Sequence, residues 1–345
     1  MTSESSTGLP ARIRAWKAAY IIKGLLTWVP GLYAWSLQRS STGGTISPRY
    51  CYSVWLRHLV MLSEHGFRVT GAVVGELGPG DSIGCGLASL LSGAQRYVGL
   101  DVVPFSAKTD VTAIFAHLVR LYTNQAPIPD HVEFPHVRPL LSSYDFPRPL
   151  IDPRGFVDRV AQIRRELGKR TTDGRLINYI APWVCSTDIR LASMDLIFSQ
   201  AVLEHAEDLQ TVYRDMFAVL KPGGYASHVI DFGCHRLSPV WNGHWAYSSR
   251  EWHFVRGCRD FLLNREPLST HVRYAVNAGF EVLAVHREEN RTGIEPALLM
   301  QYSSSLNPDD ALTRGAMVLL RKPLHPSAGK AAEDPSSTQN LVGGQ

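Results

Sequence analysis

The stretch "VVGELGPGDSIG", residues 73–84, constrains the fold more than any other part of the sequence. An apolar run of strand-forming residues ends at Glu76, and a glycine-rich turn and a helix-forming segment follow at once. In α/β proteins, a strand, a glycine turn and a helix N-terminus together form a binding site, because the backbone can approach the ligand closely. The stretch therefore predicts a strand–turn–helix unit with a ligand at the turn.

Short apolar strands and helices alternate along the rest of the chain. Six further strand segments follow the first: "RYVGLDVV", "RLINYIA", "MDLIFS", "GYASHVIDF", "FEVLAVHR" and "GAMVLLRK". This alternation predicts an α/β domain with a largely parallel sheet. Two intervals, about residues 105–175 and 236–272, are too long for plain connections, and we expect them to be insertions that build the substrate side.

The two ends of the chain differ from this body. Residues 1–9 and 325–345 are rich in small polar residues, which predicts disordered tails. We expect residues 10–69 to form a helical N-terminal extension and residues 70–322 to form the α/β domain.

The N-terminal extension is basic and rich in aromatic residues. Residues 1–63 contain seven basic residues and one acidic residue, whereas the remainder contains 28 basic and 30 acidic residues. One interpretation is that residues 11–37 contact a membrane surface, because Trp and Tyr suit the headgroup region and basic residues suit anionic lipids. The other, which we favour at this stage, is that the apolar face of this segment packs against the α/β domain.

The cysteines and the apolar segments indicate a cytoplasmic protein. Five cysteines are scattered without metal-type spacing, which favours a reducing compartment over a disulfide framework. The longest apolar segment is interrupted by Lys23 and Pro30, and it falls short of the roughly 20 residues of a membrane span. These features are also compatible with a cytoplasmic protein that contacts the inner membrane peripherally.

Glu76 at the start of the turn indicates which ligand the turn binds. The glycines at positions 78, 80 and 84 do not have the spacing of a dinucleotide fingerprint. A carboxylate beside a pyrophosphate would cost roughly 1–4 kcal/mol, which disfavours an NAD-dependent oxidoreductase. S-adenosylmethionine (SAM) has no phosphate and carries a sulfonium and an ammonium. We therefore predict that Glu76, Gly78, Pro79 and Gly80 bind SAM.

A second acid supports this ligand. Asp101 ends the next predicted strand, 21 positions after Gly80, where a carboxylate can accept hydrogen bonds from both ribose hydroxyls. Val102 and Val103 would provide an apolar wall for the adenine.

Four motifs, "ELGPGDSIG", "GLDVV", "DLIFSQAVLEH" and "LKPGGY", occur in the order found in class I SAM-dependent methyltransferases. Over about residues 70–322 the chain resembles this family, and most of all its bacterial small-molecule and saccharide methyltransferases. The resemblance implies a Rossmann-like fold with a mostly parallel seven-stranded sheet and helices on both faces. It also implies that Ser199 and Gln200, at the end of the fourth strand, border the transferred methyl group.

This sequence departs from the family pattern at two places. Ser82 stands at the third glycine position of the turn. The long insertion after Asp101 obscures the residue that contacts the adenine amino group, for which Ile180, Ala181 and Pro182 are candidates.

Candidate catalytic residues follow the fourth and fifth strands. Methyl transfer requires that the acceptor be positioned and that its proton be removed. His205 has an ordinary pKa of about 6.5, which suits a general base, although it can equally be a packing histidine. Glu204 lies beside it, and Asp231, near the carboxyl end of the fifth strand, is the predicted substrate contact. His228 lies three positions before Asp231 and would face the other side of the sheet.

We predict that transfer requires no metal. The string "QAVLEH" offers Glu204 and His205, but its third polar side chain, Gln200, is a weak ligand. A metal site would need additional ligands, for which His228 and His235 are the candidates.

The acceptor predicted from these features is a small molecule or a saccharide, methylated on oxygen. A lipid-linked saccharide of polysaccharide biosynthesis falls within this class, and the Trp-rich stretch 241–257 would cover it or would only pack as a lid. One alternative is a SAM-binding protein without transfer activity. Another is a nucleic-acid methyltransferase, which the basic N-terminus favours and the absence of a recognised RNA-binding module and of an N-P-P-[YF] motif disfavours.

Overall fold

The computed structural model describes residues 8–29, 44–104, 109–169, 174–183 and 189–325. Most of the two predicted tails, residues 30–37 of the predicted membrane-contact segment and short parts of the first insertion lie outside these ranges.

The described strands form one seven-stranded sheet in the order β3-β2-β1-β4-β5-β7-β6. Their bounds are β1 Val73–Leu77, β2 Arg96–Leu100, β3 Ile177–Ile180, β4 Met194–Gln200, β5 Leu220–Asp231, β6 Glu281–Glu289 and β7 Thr313–Arg321. The pairs among β1 to β5 are parallel, whereas β7 runs antiparallel to both β5 and β6. The predicted mostly parallel sheet of seven strands is confirmed.

Helices cover both faces of the sheet, as predicted. They are α1 Gly8–Leu25, α2 Pro48–Ser63, α3 Gly84–Ser92, α4 Val111–Thr123, α5 Phe156–Leu167, α6 Leu209–Val219, α7 Ser249–Arg256, α8 Leu268–Ala278, α9 Pro296–Leu299 and α10 Pro308–Leu312. Successive residues of the central strand β4 pack on opposite faces of the sheet, because side chains along a strand alternate in direction. Phe198 packs with α2 to α5, and Ile197 packs with α6 and α8.

Helix α2 belongs to the core of the domain and attaches the first insertion to it. The helix begins after Ser47, whose side chain accepts a hydrogen bond from the backbone of Tyr50. Arg57 is fully buried, and its guanidinium donates hydrogen bonds to the carbonyls of Pro129, Val137 and Pro139. Burial lowers the pKa of Arg57. These bonds satisfy the buried charge and fix the insertion on α2.

Helix α1 packs against the second insertion. The ammonium of Lys17 donates to the carboxylate of Glu251 in α7 at 3.0 Å, and the rings of Trp16 and Tyr247 meet edge to face at 5.3 Å. A Cβ on Gly24 would lie 2.0 Å from the carbonyl oxygen of Phe254, so the two helices cross at a glycine. Within the described ranges, every helix is too short or too polar to cross a bilayer.

Candidate functional site

The glycine turn lies at the carboxyl end of β1, between the ends of β2 and β4. Gly78 has a φ of 59° and Gly80 a φ of 69°, in the left-handed region that glycine adopts without strain. A Cβ on Gly78 would also lie 2.8 Å from the side chain of Val202. The turn therefore requires glycine at position 78 for its backbone conformation and for its close approach to the segment after β4.

Ser82, which replaces the third glycine of the pattern, links the turn to the segment before α2. Its hydroxyl donates to the carbonyl of Thr45, and its backbone N–H donates to the hydroxyl of Thr45 at 3.1 Å. Ser82 is buried, and these two hydrogen bonds provide partners for its backbone N–H and its hydroxyl. The N-terminal segment thus holds the turn in place, which the sequence did not reveal.

Glu76 is buried at the end of β1, and its carboxylate accepts a hydrogen bond from the hydroxyl of Tyr97 at 2.7 Å. Burial raises the pKa of Glu76 to about 8, because a low-dielectric surrounding disfavours the charged form. In the free protein at neutral pH the carboxyl group is therefore mostly protonated. A cationic ligand nearby would stabilise the carboxylate.

Asp101 follows β2 and connects its end to the glycine turn. One carboxylate oxygen accepts from the backbone N–H of Val102 at 2.8 Å, and the other accepts from that of Gly80 at 3.3 Å. Burial raises the pKa of Asp101, and these backbone bonds oppose the rise. Val102 itself is exposed. Ile180, at the end of β3, accepts the backbone N–H of Asp101, and Ala181 and Pro182 follow it.

The end of β4 is held by two buried histidines. The hydroxyl of Ser199 lies 2.8 Å from His228 Nδ1, and the amide oxygen of Gln200 lies 3.2 Å from His58 Nε2. Burial lowers the pKa of His58 to about 4 and that of His228 to about 3, so both rings are neutral at physiological pH. Since an amide oxygen only accepts, His58 Nε2 carries the proton. His58, in α2, fixes the orientation of Gln200, and sequence reasoning did not identify it.

The three predicted catalytic residues lie together. Glu204 and His205 occupy a short 3₁₀ helix after β4, and Asp231 ends the neighbouring strand β5. His235 joins them, with its Nε2 3.2 Å from a carboxylate oxygen of Asp231 and its ring 5.1 Å from that of His205. Glu204, His205 and His235 each place one ligand atom within 4.8 Å of the others. His228 does not join this cluster; it is fully buried beside Ser199.

Burial and hydrogen bonds shift the pKa values of His205 and Asp231 in this cluster. His205 Nδ1 lies 2.8 Å from the carbonyl oxygen of Phe261, so Nδ1 carries the proton and Nε2 keeps its lone pair. Burial lowers the pKa of His205 to about 4. Burial alone would raise the pKa of Asp231, but the hydrogen bond and charge of His235 bring it below its usual value. At neutral pH His205 is therefore neutral and lies beside an ionised Asp231, but its ring is a weaker base than the ordinary histidine that the sequence predicts.

Glu204 is the third polar group of the cluster and is 2 % exposed. Neither of its carboxylate oxygens has a hydrogen-bond partner among the described residues. Burial raises the pKa of Glu204 well above its usual value, because a low-dielectric surrounding disfavours the carboxylate. His235 and Arg236 nearby have φ values of 43° and 65°, a strained conformation for residues with a Cβ that is typical of functional sites.

The tryptophans of the second insertion pack inside the protein. Trp241 is 8 % exposed and Trp245 is 1 % exposed, and both lie in the core beneath α8. The indole N–H of Trp245 donates to the carbonyl of Arg265 at 2.9 Å. The burial of these two rings favours the packed-lid alternative. The insertion contacts the candidate site through Phe261 instead.

Two clefts, of about 400 and 550 Å³, lie at the opposite end of the sheet. The first is lined by residues at the amino ends of the strands, including Asp195 and Lys221, and the second begins there at Val73 and Lys221 and extends along β3 as far as Ile180. Ligands of open α/β sheets bind at the carboxyl ends of the strands, so neither cleft is the candidate site.

A family model described as a methyltransferase domain matches residues 156–227 of the chain. This range contains α5, β3, β4, α6 and most of β5. No protein of curated function matches the chain.

Two solved structures illustrate the likeness of the fold. The chain is similar to an S-adenosylmethionine-dependent methyltransferase from Mesorhizobium loti, with 14 % identity and a TM-score of 0.38 over 76 % of this chain and 96 % of that one. It is also similar to phosphoethanolamine N-methyltransferase 2 from Haemonchus contortus in complex with S-adenosyl-L-methionine, with 16 % identity and a TM-score of 0.38 over 78 % of this chain and 53 % of that one. Because both TM-scores are low, the fold is assigned from the strand order and not from these likenesses.

Three findings point to the same class of protein. They are the strand order with β7 inserted antiparallel, the acid–glycine turn after β1 and the methyltransferase-domain match. The fold is the Rossmann-like fold of class I methyltransferases, and the methyltransferase-domain match indicates a SAM-dependent enzyme with SAM as its cofactor.

Proposed function

We propose that this enzyme transfers the methyl group of SAM to a hydroxyl oxygen of a small-molecule or saccharide acceptor. The observation that carries the proposal is the neutral His205 beside Asp231 at the carboxyl ends of β4 and β5. Its Nε2 lone pair is available, because Nδ1 donates to the carbonyl of Phe261. A hydroxyl acceptor must lose a proton during transfer, whereas the methyl donor needs no activation.

SAM would bind across the ends of β1, β2 and β4. The carboxylate of Glu76 supports the cationic end of the ligand, and Asp101 supports the ribose through charge-assisted hydrogen bonds. Gly78, Pro79 and Gly80 allow close backbone approach, and Val102 borders the adenine. Ser199 and Gln200 border the methyl group, and His58 sets the orientation of the Gln200 amide.

In the proposed reaction the acceptor oxygen attacks the methyl carbon while the sulfur–carbon bond breaks, which leaves S-adenosylhomocysteine. His205 Nε2 takes the hydroxyl proton. Asp231, held by His235, orients the acceptor by accepting a hydrogen bond from it. Glu204, whose carboxyl oxygens have no hydrogen-bond partner among the described residues, contacts a further polar group of the acceptor.

The acceptor class includes lipid-linked saccharides, such as those of polysaccharide biosynthesis. A cluster of two carboxyl groups and two imidazoles suits an acceptor with several hydroxyls, each of which needs a partner. We propose that the enzyme is cytoplasmic and meets such an acceptor at the membrane surface through residues 11–37.

The test compares extracts of cells with and without the gene by mass spectrometry, searching for a product one CH₂ heavier. The purified enzyme with SAM should convert the unmethylated species, and His205→Ala should not. His286→Ala, which changes an exposed histidine of β6, is the matched control and should retain activity. Methyl incorporation into RNA or DNA alone would contradict the proposal and favour a nucleic-acid methyltransferase. SAM binding without any methylated product would favour a binding protein.

A further inference from the structure

Helix α1 has two apolar faces, and residues of the described ranges cover only one of them. The covered face contains Trp16, Lys17, Tyr20 and Ile21, which pack against the second insertion. Lys17 is 5 % exposed and its charge is paired with Glu251.

The opposite face, which we call the outer face, is a continuous apolar stripe. It consists of exposed residues on one side of α1 and of the short segment that follows it: Ala18, Ala19, Ile22, Leu25, Leu26 and Val29. Ile22 is 57 % exposed, Leu26 is 50 % exposed and Val29 is 46 % exposed. A helix that is apolar on both faces is usually buried on both, so the outer face lacks its partner.

Two aromatic side chains extend the outer face toward the second insertion. Trp28 is 41 % exposed and its ring lies 6.2 Å from that of Phe254 at the end of α7, which is also 41 % exposed. Tryptophan with one side on protein and one side open is typical of residues at a membrane–water interface.

Charge distinguishes among the partners that could cover this face. Residues 8–29 contain four basic residues and no acidic residue. Lys23 is exposed next to the stripe, with its ammonium 4.8 Å from the ring centre of Tyr20. A second copy would bring two basic segments together, which is unfavourable. An anionic lipid surface matches both the apolar stripe and the positive charge.

We propose that the outer face of α1, with Trp28 and Phe254, docks this enzyme on an anionic membrane surface. Because α1 is joined to α7 by the Lys17–Glu251 ion pair and by the crossing at Gly24, docking places the second insertion at the membrane. The same insertion carries Phe261, whose carbonyl orients His205. The acceptor site would then open beside the lipid. Only this last step rests on the proposed acceptor; the docking itself does not.

The test is flotation of the full-length protein with phosphatidylcholine vesicles that contain phosphatidylglycerol. The wild type should float with these vesicles at low ionic strength, remain at the bottom with pure phosphatidylcholine, and be released by salt. Ile22→Ser/Leu26→Ser should reduce the bound fraction about tenfold or more, since two apolar side chains no longer enter the lipid. Val157→Ser, which changes a 79 % exposed valine of α5, should bind as the wild type does.

Other occupants of the outer face give different results. If residues 30–43 of the chain or a second copy covered it, the double variant would melt at a lower temperature than the Val157→Ser control or change its oligomeric state. The docking proposal requires equal melting temperatures and an unchanged mass in light scattering. Protein that stays at the bottom with anionic vesicles at low salt would overturn it. Vesicle binding without methylation of any saccharide would leave the docking intact and remove only the acceptor proposal.

Discussion

The cofactor side and the acceptor side of this enzyme are built in different ways. On the cofactor side, Glu76, the glycine turn and Asp101 lie within about 26 consecutive residues, and backbone N–H groups of this segment hold Asp101, although the turn is also bonded to Thr45 through Ser82. On the acceptor side, His205 depends on a carbonyl from a second insertion 56 positions away. The comparison teaches that local sequence defines the ligand turn, whereas the chemistry at the acceptor depends on contacts made by inserted segments. Substitutions on the cofactor side should therefore change the affinity for SAM, and substitutions on the acceptor side should change the rate of methyl transfer.

The largest effect should come from His205. His205→Ala should lower kcat by about 10²–10⁴-fold, because the proton of the acceptor loses its base. SAM affinity should stay unchanged, because the residue belongs to the acceptor side. Methyl-transfer kinetics and calorimetry with SAM check the two halves of this expectation. A loss of SAM affinity equal to the loss of activity would mean that the two sides are not separate.

Asp101→Ala should have the next largest effect, and on the opposite side. Loss of charge-assisted bonds to the ribose should weaken SAM binding by roughly 1–3 kcal/mol. The exposed Asp158 of α5 provides the control, and Asp158→Ala should bind SAM as the wild type does. Unchanged affinity of the Asp101 variant in calorimetry would remove this residue from the site.

Glu76 should make SAM binding depend on pH. Its pKa of about 8 in the free protein lies above the ordinary value of 4.5, so the protonated form is the one stabilised by the fold. Its contribution to the free energy of unfolding is fully present below pH 4.5 and is lost as the pH rises through about 8. A cationic ligand prefers the carboxylate, so SAM affinity should rise between pH 6 and 8, by up to about tenfold per pH unit.

Glu76→Gln should flatten both pH dependences. Thermal unfolding of the free protein and calorimetry with SAM, each measured between pH 6 and 8, check this expectation. An affinity for SAM that falls as the pH rises would show that Glu76 does not face the cationic end of the ligand.

The smallest effect should be that of metal removal. We expect EDTA to leave methyl transfer unchanged, because the amide oxygen of Gln200 is engaged by His58 and burial disfavours the carboxylate form of Glu204. If activity is lost with EDTA and returns with a divalent ion, the group of Glu204, His205 and His235 is a metal site.

The sequence predicts the cofactor side better than the acceptor side for a physical reason. The turn conformation at Gly78 and the position of Asp101 follow from strands, turns and glycines that are adjacent in the chain. His58 was not predicted, because its contact with Gln200 spans 142 positions and depends on how α2 packs on β4. Ser82 was noted as a departure, but its partner Thr45 lies before the domain and carries no motif.

On the acceptor side, the sequence predicted three residues of the cluster and left two alternatives for the aromatic residues of the second insertion. Glu204, His205 and Asp231 follow strand ends, where ligands bind in this type of sheet. His235 was considered with His228 and Asp231 and as a metal ligand, but its hydrogen bond to Asp231 depends on the left-handed backbone conformation at His235, which the sequence does not indicate. The large apolar surfaces of Trp241 and Trp245 are buried in the core, which favours the packed-lid alternative for these two residues over a cover for the acceptor.

The measurement that tests the central claim most directly is calorimetry of the free wild-type protein with SAM and, separately, with NAD. The account places a cationic, phosphate-free ligand between Glu76 and Asp101, so it predicts one SAM bound per chain and no heat of binding with NAD. The Asp101→Ala variant should then lose affinity for SAM. Saturable binding of NAD, or SAM binding that is insensitive to both Glu76→Gln and Asp101→Ala, would contradict the account.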